Sequence, residues 1–243
     1  MKKLLALVLI VVLACSFTAC VFKADPNAKS EGVMTYEEYA DAEIGSQVVI
    51  EAFVQAKQGW WDNQITLYLQ DGEGGYFSYN TECSEELAEQ LEIGTKVKVS
   101  GEKAEWAGEV EIMYGTVEIS GTDTWIAPTF DATELLGTKS LIDHQNEKVS
   151  FKGLTVEASN DDGDAFLYSW DGSGVEGGDS DLYFKASVNG KTYTFVIEYY
   201  LTGADSDAYK AVQALNVGDV IDMEGFLYWY NGSQPHITSV TVK

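Results

Sequence analysis

The sequence predicts an all-β chain with short helices, built as two copies of one small five-stranded barrel. Three observations carry that prediction. The first is a repeated stretch. Leu91-Glu92-Ile93-Gly94, followed by Val97, Val99 and Gly101, recurs 124 positions later as Leu215-Asn216-Val217-Gly218, followed by Ile221, Met223 and Gly225. The second is what comes next at the same offsets: an aromatic (Trp106, Tyr230) and then a glycine (Gly108, Gly232). The third is composition, with 45% apolar and 12% aromatic residues, 23 glycines and only 3 prolines in 243 residues. That profile is globular and leaves room for two domains of ordinary size.

In the first copy, Thr35 can cap a short helix, because Glu38 stands three residues on and completes a capping box. Gln47 to Ala56 alternates with Val48, Ile50, Ala52 and Val54 on one face, the period of a strand. Ile65, Leu67 and Leu69 alternate in the same way, and Asp71-Gly72-Glu73-Gly74-Gly75 turns the chain into a third strand, Tyr76 to Asn80. Ser84 opens a short helix that stops at Gly94. Thr95 to Lys103 and Glu109 to Ile119 are the fourth and fifth strands. Thr124-Trp125-Ile126 is placed at the domain junction.

The second copy opens with a helix near Thr133 to Ile142, followed by a strand from Lys148 to Val156. About 23 extra residues then fall mostly between Ala158 and Asp181, and Phe166 to Trp170 can add a strand there. Asn189-Gly190 is a type I′ hairpin signal between Leu182–Val188 and Thr192–Tyr199. Ser206 to Ala214 reads as helix, and two strands, Asp219–Tyr228 and His236–Val242, close the copy. Five strands with a helix between the third and fourth is the order of an OB-fold, a Greek-key barrel. The expected architecture is therefore a tandem of OB-folds at 34–121 and 133–243, joined by a linker at 122–132.

Charge narrows the partners. The chain has 39 acids and 15 bases, and every base is lysine. Such a surface repels phosphate backbones, and without arginine there is no bidentate fork for phosphate or guanine, so nucleic acid is not an expected partner.

The N-terminus carries an address. Met1-Lys2-Lys3 precedes an unbroken apolar run of 11 residues, Leu4 to Ala14. That is shorter than the roughly 20 residues a membrane span needs and matches a secretory core. Ser16-Phe17-Thr18-Ala19-Cys20 resembles a bacterial lipoprotein signal, which implies lipidation of Cys20, with Cys15 as the alternative. Residues 1–20 are then a signal peptide and 21–33 a flexible tether, and the mature chain is expected at the outer face of a cell membrane. With Cys83 the one cysteine of the folded body, an intrachain disulfide framework is excluded.

Several motifs narrow the resemblance. Met34 to Tyr39, Val54-Gln55-Ala56-Lys57, Trp60-Trp61, the Leu91 to Gly94 turn, and the run from Gly101 through Ala104-Glu105-Trp106 to Gly108 are similar to a group of exported OB-fold lipoproteins of Gram-positive bacteria. The likeness covers roughly residues 34–119, and the second copy only through its last two strands. It implies a fold and an address but no reaction.

OB-folds bind across the second and third strands, between the loop joining strands one and two and the loop joining strands four and five. Those places hold Trp60, Trp61 and Trp106 in the first copy, with Tyr68, Tyr76 and Tyr79 on the face between them. In the second copy they hold Trp170 and the run Tyr228-Trp229-Tyr230, of which Trp170, Trp229 and Tyr230 are taken as site residues. These nine aromatics are the expected ligand-binding residues, for a polysaccharide or a protein. The competing role is structural, with the rings packed at the domain junction; nucleic-acid binding ranks below both. Asp161, Asp162 and Asp164 could supply oxygen ligands to calcium, although the spacing is not that of an EF-hand and no Glu closes the loop. The two histidines, His144 and His236, stand apart, so neither a zinc site nor a Ser-His-Asp arrangement is expected. No carboxylate pair is singled out. The expectation is a non-catalytic protein without cofactor or metal.

Overall fold

The computed structural model describes residues 25–243. The leader and Cys20 lie outside the described residues.

The first half forms a closed five-stranded barrel. Its strands are β1 (Gln47–Lys57), β2 (Gln64–Gln70), β3 (Gly75–Glu82), β4 (Thr95–Trp106) and β5 (Glu109–Thr124), in the spatial order β1-β2-β3-β5-β4 and back to β1. The β3–β5 pairing is parallel and the others antiparallel. Helix α1 (Tyr36–Asp41) carries the expected capping box: Glu38 N donates to Thr35 Oγ1 and Thr35 N donates to Glu38 Oε2. Helix α2 (Glu85–Gln90) lies between β3 and β4. The core is built on Ile50, Val54, Leu67, Leu69, Val97 and Val99, all fully buried. Each such aliphatic contributes on the order of 1.5–3 kcal/mol by leaving water.

The second half repeats the plan. After a short strand β6 (Phe130–Asp131) come β7 (Lys148–Glu157), β8 (Phe166–Tyr168), β9 (Leu182–Val188), β10 (Lys191–Ile197), β11 (Val220–Phe226) and β12 (His236–Val242). The run β7-β11-β12-β10-β9 closes on itself through a β7–β9 pairing, giving a second five-stranded barrel in the order of the first. Helices α3 (Tyr199–Thr202) and α4 (Asp207–Gln213) lie between β10 and β11. The architecture is two OB-folds in tandem.

The repeated stretch lands in equivalent places, and its glycines have matching reasons. Gly94 and Gly218 each enter the fourth strand of their barrel at positive φ, 91° and 96°. Their N–H groups donate to carbonyls of the first strand, Val54 O and Val156 O, at 2.7 and 2.9 Å. Gly101 and Gly225 stand at ladder irregularities in the fourth strands. A Cβ at Gly101 would come 2.6 Å from Ile112 Cγ2, and one at Gly225 would come 2.1 Å from the His236 carbonyl oxygen.

Four expectations are corrected. The described part of the 21–33 segment is strapped to the first barrel: Ser30 Oγ donates to Glu51 Oε1, Lys29 pairs with buried Asp71, and Lys96 Nζ donates to Ala28 O. The buried acids Glu51 on β1 and Asp71 in the turn between β2 and β3 need these partners. The expected helix at 133–142 is two 3-10 turns, Thr133–Leu135 and Lys139–His144, with Gly137 at positive φ between them. Within the expected linker, β5 runs on to Thr124, and β6 already pairs with β7 at Phe130 and Asp131. Trp125 packs on Phe53 of the first barrel, 5.6 Å between ring centroids.

Candidate functional site

The nine expected aromatics divide into three groups. Tyr68 and Tyr76 are buried, which removes them from any ligand surface. Tyr76 belongs to the first barrel's core, where its hydroxyl donates to Asp71 Oδ2 at 2.7 Å beneath Tyr36 and Tyr39. Tyr68 belongs to the junction between the barrels. Its ring packs on Phe77 and Phe226, and its hydroxyl is hydrogen-bonded to His236 Nδ1 at 2.7 Å. The sequence places Tyr68 on β2 but cannot show that the outer face of that strand is covered by the other barrel. Burial pushes His236 down to about 3 and the Tyr68 hydroxyl well up, so both stay neutral at physiological pH.

Trp60 and Trp229 are folded back. The Trp60 indole N–H donates to Cys83 O at 2.8 Å, and burial pushes the adjacent Cys83 thiol up. Trp229 lies against Gly108, where an added Cβ would come 2.9 Å from its ring. Its backbone N–H donates to Glu109 Oε2 at 2.8 Å.

The matching loops after the fourth strands thus dock on each other. Ala107 and Asn231 both take positive φ, 53° and 54°, and Asn231 N donates to Ala107 O at 2.7 Å. Gln145 Nε2 donates to Gly108 O and to Glu109 Oε2, and Asn146 Nδ2 donates to Val110 O. Among the described residues Glu109 Oε1 has no partner, and burial raises this carboxyl to about 8, so it sits in the junction as the neutral acid. On the other side of the junction, Gln58 Nε2 donates to Glu198 Oε2 and Gly59 N to Tyr200 O.

The third group remains open to solvent: Trp61 (76% exposed), Tyr79 (40%), Trp106 (62%), Trp170 (75%) and Tyr230 (47%). Four of them line one cleft of about 630 Å³ between the barrels. Tyr79 and Trp106 come from the first barrel; Trp170 and Tyr230 come from the second. Trp61 stands in a neighbouring groove that shares Gln58 and Tyr79 with the cleft. The structure adds Tyr183 on β9, which sequence reasoning passed over. With Tyr228, next to the expected Trp229 and Tyr230 after β11, it forms the cleft's wall, and Tyr228 stacks on His236 at 4.1 Å. Asp181 and Glu198 also line it. Burial pushes Glu198 up to about 7, with help from the Asp181 charge, and burial raises Asp181. Both acids are oriented by backbone donors, Tyr199 N on Asp181 and Tyr200 N on Glu198. The one sequence signal for this pair was the position of each at a strand end, which many other acids share.

Asp161, Asp162 and Asp164 do not converge. Asp164 is held by Asn160 through its N–H and its carboxylate in a closed local turn. Among the described residues there is no group of three or more His, Cys, Asp or Glu side chains placed to hold a metal ion. His144 stacks on Phe130 and bonds to Glu147.

No protein-family model matches the chain, and no curated protein does. Solved structures with similar folds include the Ifi202 HINa domain in complex with 20 bp double-stranded DNA, at 12% identity and a TM-score of 0.34, covering 82% of this chain and 98% of that one. They also include p202 HIN1 in complex with 12-mer double-stranded DNA (11%, 0.35, 90% and 99%). A replication protein A heterotrimer bound to single-stranded DNA is similar as well (10%, 0.33, 81% and 49%). Likeness at this level extends to the fold, and what those domains bind is a property of theirs. It still corrects two expectations. Solved neighbours of this fold are bound to DNA, so the expected exclusion of nucleic acid is not kept. The choice of a polysaccharide or protein partner is withdrawn with that exclusion, since part of the aromatic face it rested on is buried at the junction.

Proposed function

We propose that this chain is a non-catalytic binding protein whose ligand enters the cleft where the two barrels meet. The observation that supports this reading is the convergence of rings from both barrels on one open space, with Trp106 on one side and Trp170 on the other. Exposed aromatic side chains cost solvation, and gathering them in a concave site is what a small ring-bearing or alkylated ligand requires. The same arrangement explains why the buried aromatics are structural. Tyr68, Phe77 and Phe226 hold the barrels in the relation that shapes the cleft. The address read from the leader, lipidation at Cys20 and display at the outer face of a membrane, belongs to this proposal. Among the described residues no helix is long and apolar enough to cross a membrane.

A second reading is single-stranded nucleic acid, with bases stacked on the same rings. It is favoured by the spread of exposed indoles from Trp61 through Trp106 to Trp170, because base stacking on aromatics is sequence-tolerant and contributes about 1–3 kcal/mol per base. One experiment separates the two. Tryptophan fluorescence of residues 25–243 is followed during titration with small organic ligands and with a dT oligonucleotide at low salt. Trp106→Ala with Trp170→Ala should abolish the response to a cleft ligand. A response only to the oligonucleotide, lost further in Trp61→Ala, would replace the first reading with the second.

A further inference from the structure

We propose that the ligand of the junction cleft is an organic cation, an alkylated ammonium group. The inference rests on the reading of the cleft as a binding site and concerns what that site selects. Its basis is the combination of rings and charges that the fold brings together. Trp106, Trp170, Tyr183, Tyr228 and Tyr230 supply aromatic faces, and Asp181 and Glu198 supply the carboxyl groups of the lining among the described residues. Among the described residues no lysine lines the cleft. His236, which does, is held neutral by burial. An anionic ligand therefore meets two carboxylates and no counter-charge, and a neutral ligand leaves those carboxylates desolvated without gain. An alkylated ammonium satisfies both features, since the negative face of an aromatic ring attracts a cation and the attraction grows as water is removed.

The carboxylates are suited to stay in place while they do this. Asp181 is fixed by Tyr199 N, and Glu198 by Tyr200 N and Gln58 Nε2. The last bond crosses the junction, so the charge at the floor of the cleft exists in its present position only when the barrels are docked. Neither acid forms an ion pair with a lysine among the described residues. A cation arriving from solvent would supply the missing counter-charge. The ring faces also discriminate by size. A bare metal ion gains little from them, whereas methyl or ethyl groups on nitrogen present apolar surface to the rings.

The test uses choline and its uncharged carbon isostere, 3,3-dimethylbutan-1-ol, titrated calorimetrically into residues 25–243, with the indole N–H resonances recorded in parallel. The expected result is that choline binds at least tenfold more tightly than the isostere and shifts Trp106 and Trp170 together. Asp181→Asn and Glu198→Gln, which keep the acceptor oxygens for Tyr199 N and Tyr200 N, should each weaken choline several-fold more than they weaken the isostere. If choline and the isostere bind equally and both shift these indoles, the cation inference is overturned while the cleft remains a binding site. If neither moves them but a dT oligonucleotide does, the inference and the small-ligand reading fall together. Should choline bind without moving Trp106 or Trp170, the site lies elsewhere and the inference is wrong.

Discussion

Replacing Glu109 with glutamine should stabilise the protein, and increasingly so as pH rises. Glu109 lies wholly inside the junction, accepts hydrogen bonds from Trp229 N and Gln145 Nε2 on one oxygen, and leaves the other unpartnered. Burial raises its folded pKa from 4.5 to about 8. A carboxyl raised in the folded state adds nothing unfavourable below 4.5, where both states are protonated. As pH rises the unfolded chain ionises first, and the group's contribution to stability is lost progressively until pH passes about 8. The full displacement corresponds to a ceiling on the order of 5 kcal/mol above pH 8, and on the order of 3 kcal/mol at pH 7. Local relaxation and water entry soften the penalty of a buried charge, so the expected gain for Glu109→Gln at pH 7 is about 1–2 kcal/mol. Glutamine keeps the accepting oxygen and is neutral at every pH. Urea unfolding of both proteins from pH 5 to pH 9 measures the difference, with the midpoint of the variant drawing away from wild type across this range. Parallel profiles for the two proteins would refute the buried neutral acid and with it this description of the junction.

Three further outcomes are expected. Gly225→Ala forces a Cβ against the His236 carbonyl, and Gly101→Ala forces one against Ile112 and Met113 O, so each should cost about 1–3 kcal/mol in thermal unfolding; an unchanged melting temperature in either would deny the matched close approach. Tyr68→Phe removes the hydroxyl bonded to His236 Nδ1 and should cost about 1–3 kcal/mol, because a buried ring nitrogen is left without its partner; a neutral effect would mean that water reaches the junction. Choline affinity should rise as pH goes from 6 to 8 and then level off, since Glu198 is raised to about 7 and a bound cation favours its ionised form. The neighbouring Asp181 charges in the same direction, while Tyr183, Tyr228 and His236 do not titrate in that window. A pH-independent affinity would place the cation away from Glu198.

The barrel plan was legible because its signals are local. Gly94 and Gly218 are glycine for a positive φ at the entry to a strand, Gly101 and Gly225 because another backbone or side chain lies within a Cβ's reach, and Thr35 and Glu38 cap a helix that starts beside them. Such features recur at fixed spacing whenever the fold is repeated. The division of the aromatics was not legible, because it depends on how one barrel sits on the other. Tyr68 and Tyr79 come from adjacent strands of the same sheet, yet one is buried by Phe226 and the other faces the cleft. The docking of the two equivalent loops, with Trp229 over Gly108 and Asn231 bonded to Ala107, decides which rings remain free, and nothing in either copy alone announces it. Asp181 and Glu198 were hidden for a different reason. Among 39 acids, only the neighbours each one acquires on folding distinguish a site carboxylate from a hydrated one.

The most direct test of the account follows the six indole N–H resonances while the cleft ligand is titrated. Rings from separate barrels that share one ligand must report one event. Trp106 and Trp170 should shift along a single binding curve, with Trp60, Trp125 and Trp229 still. Movement confined to one barrel, or two curves with different midpoints, would contradict a shared site at the junction.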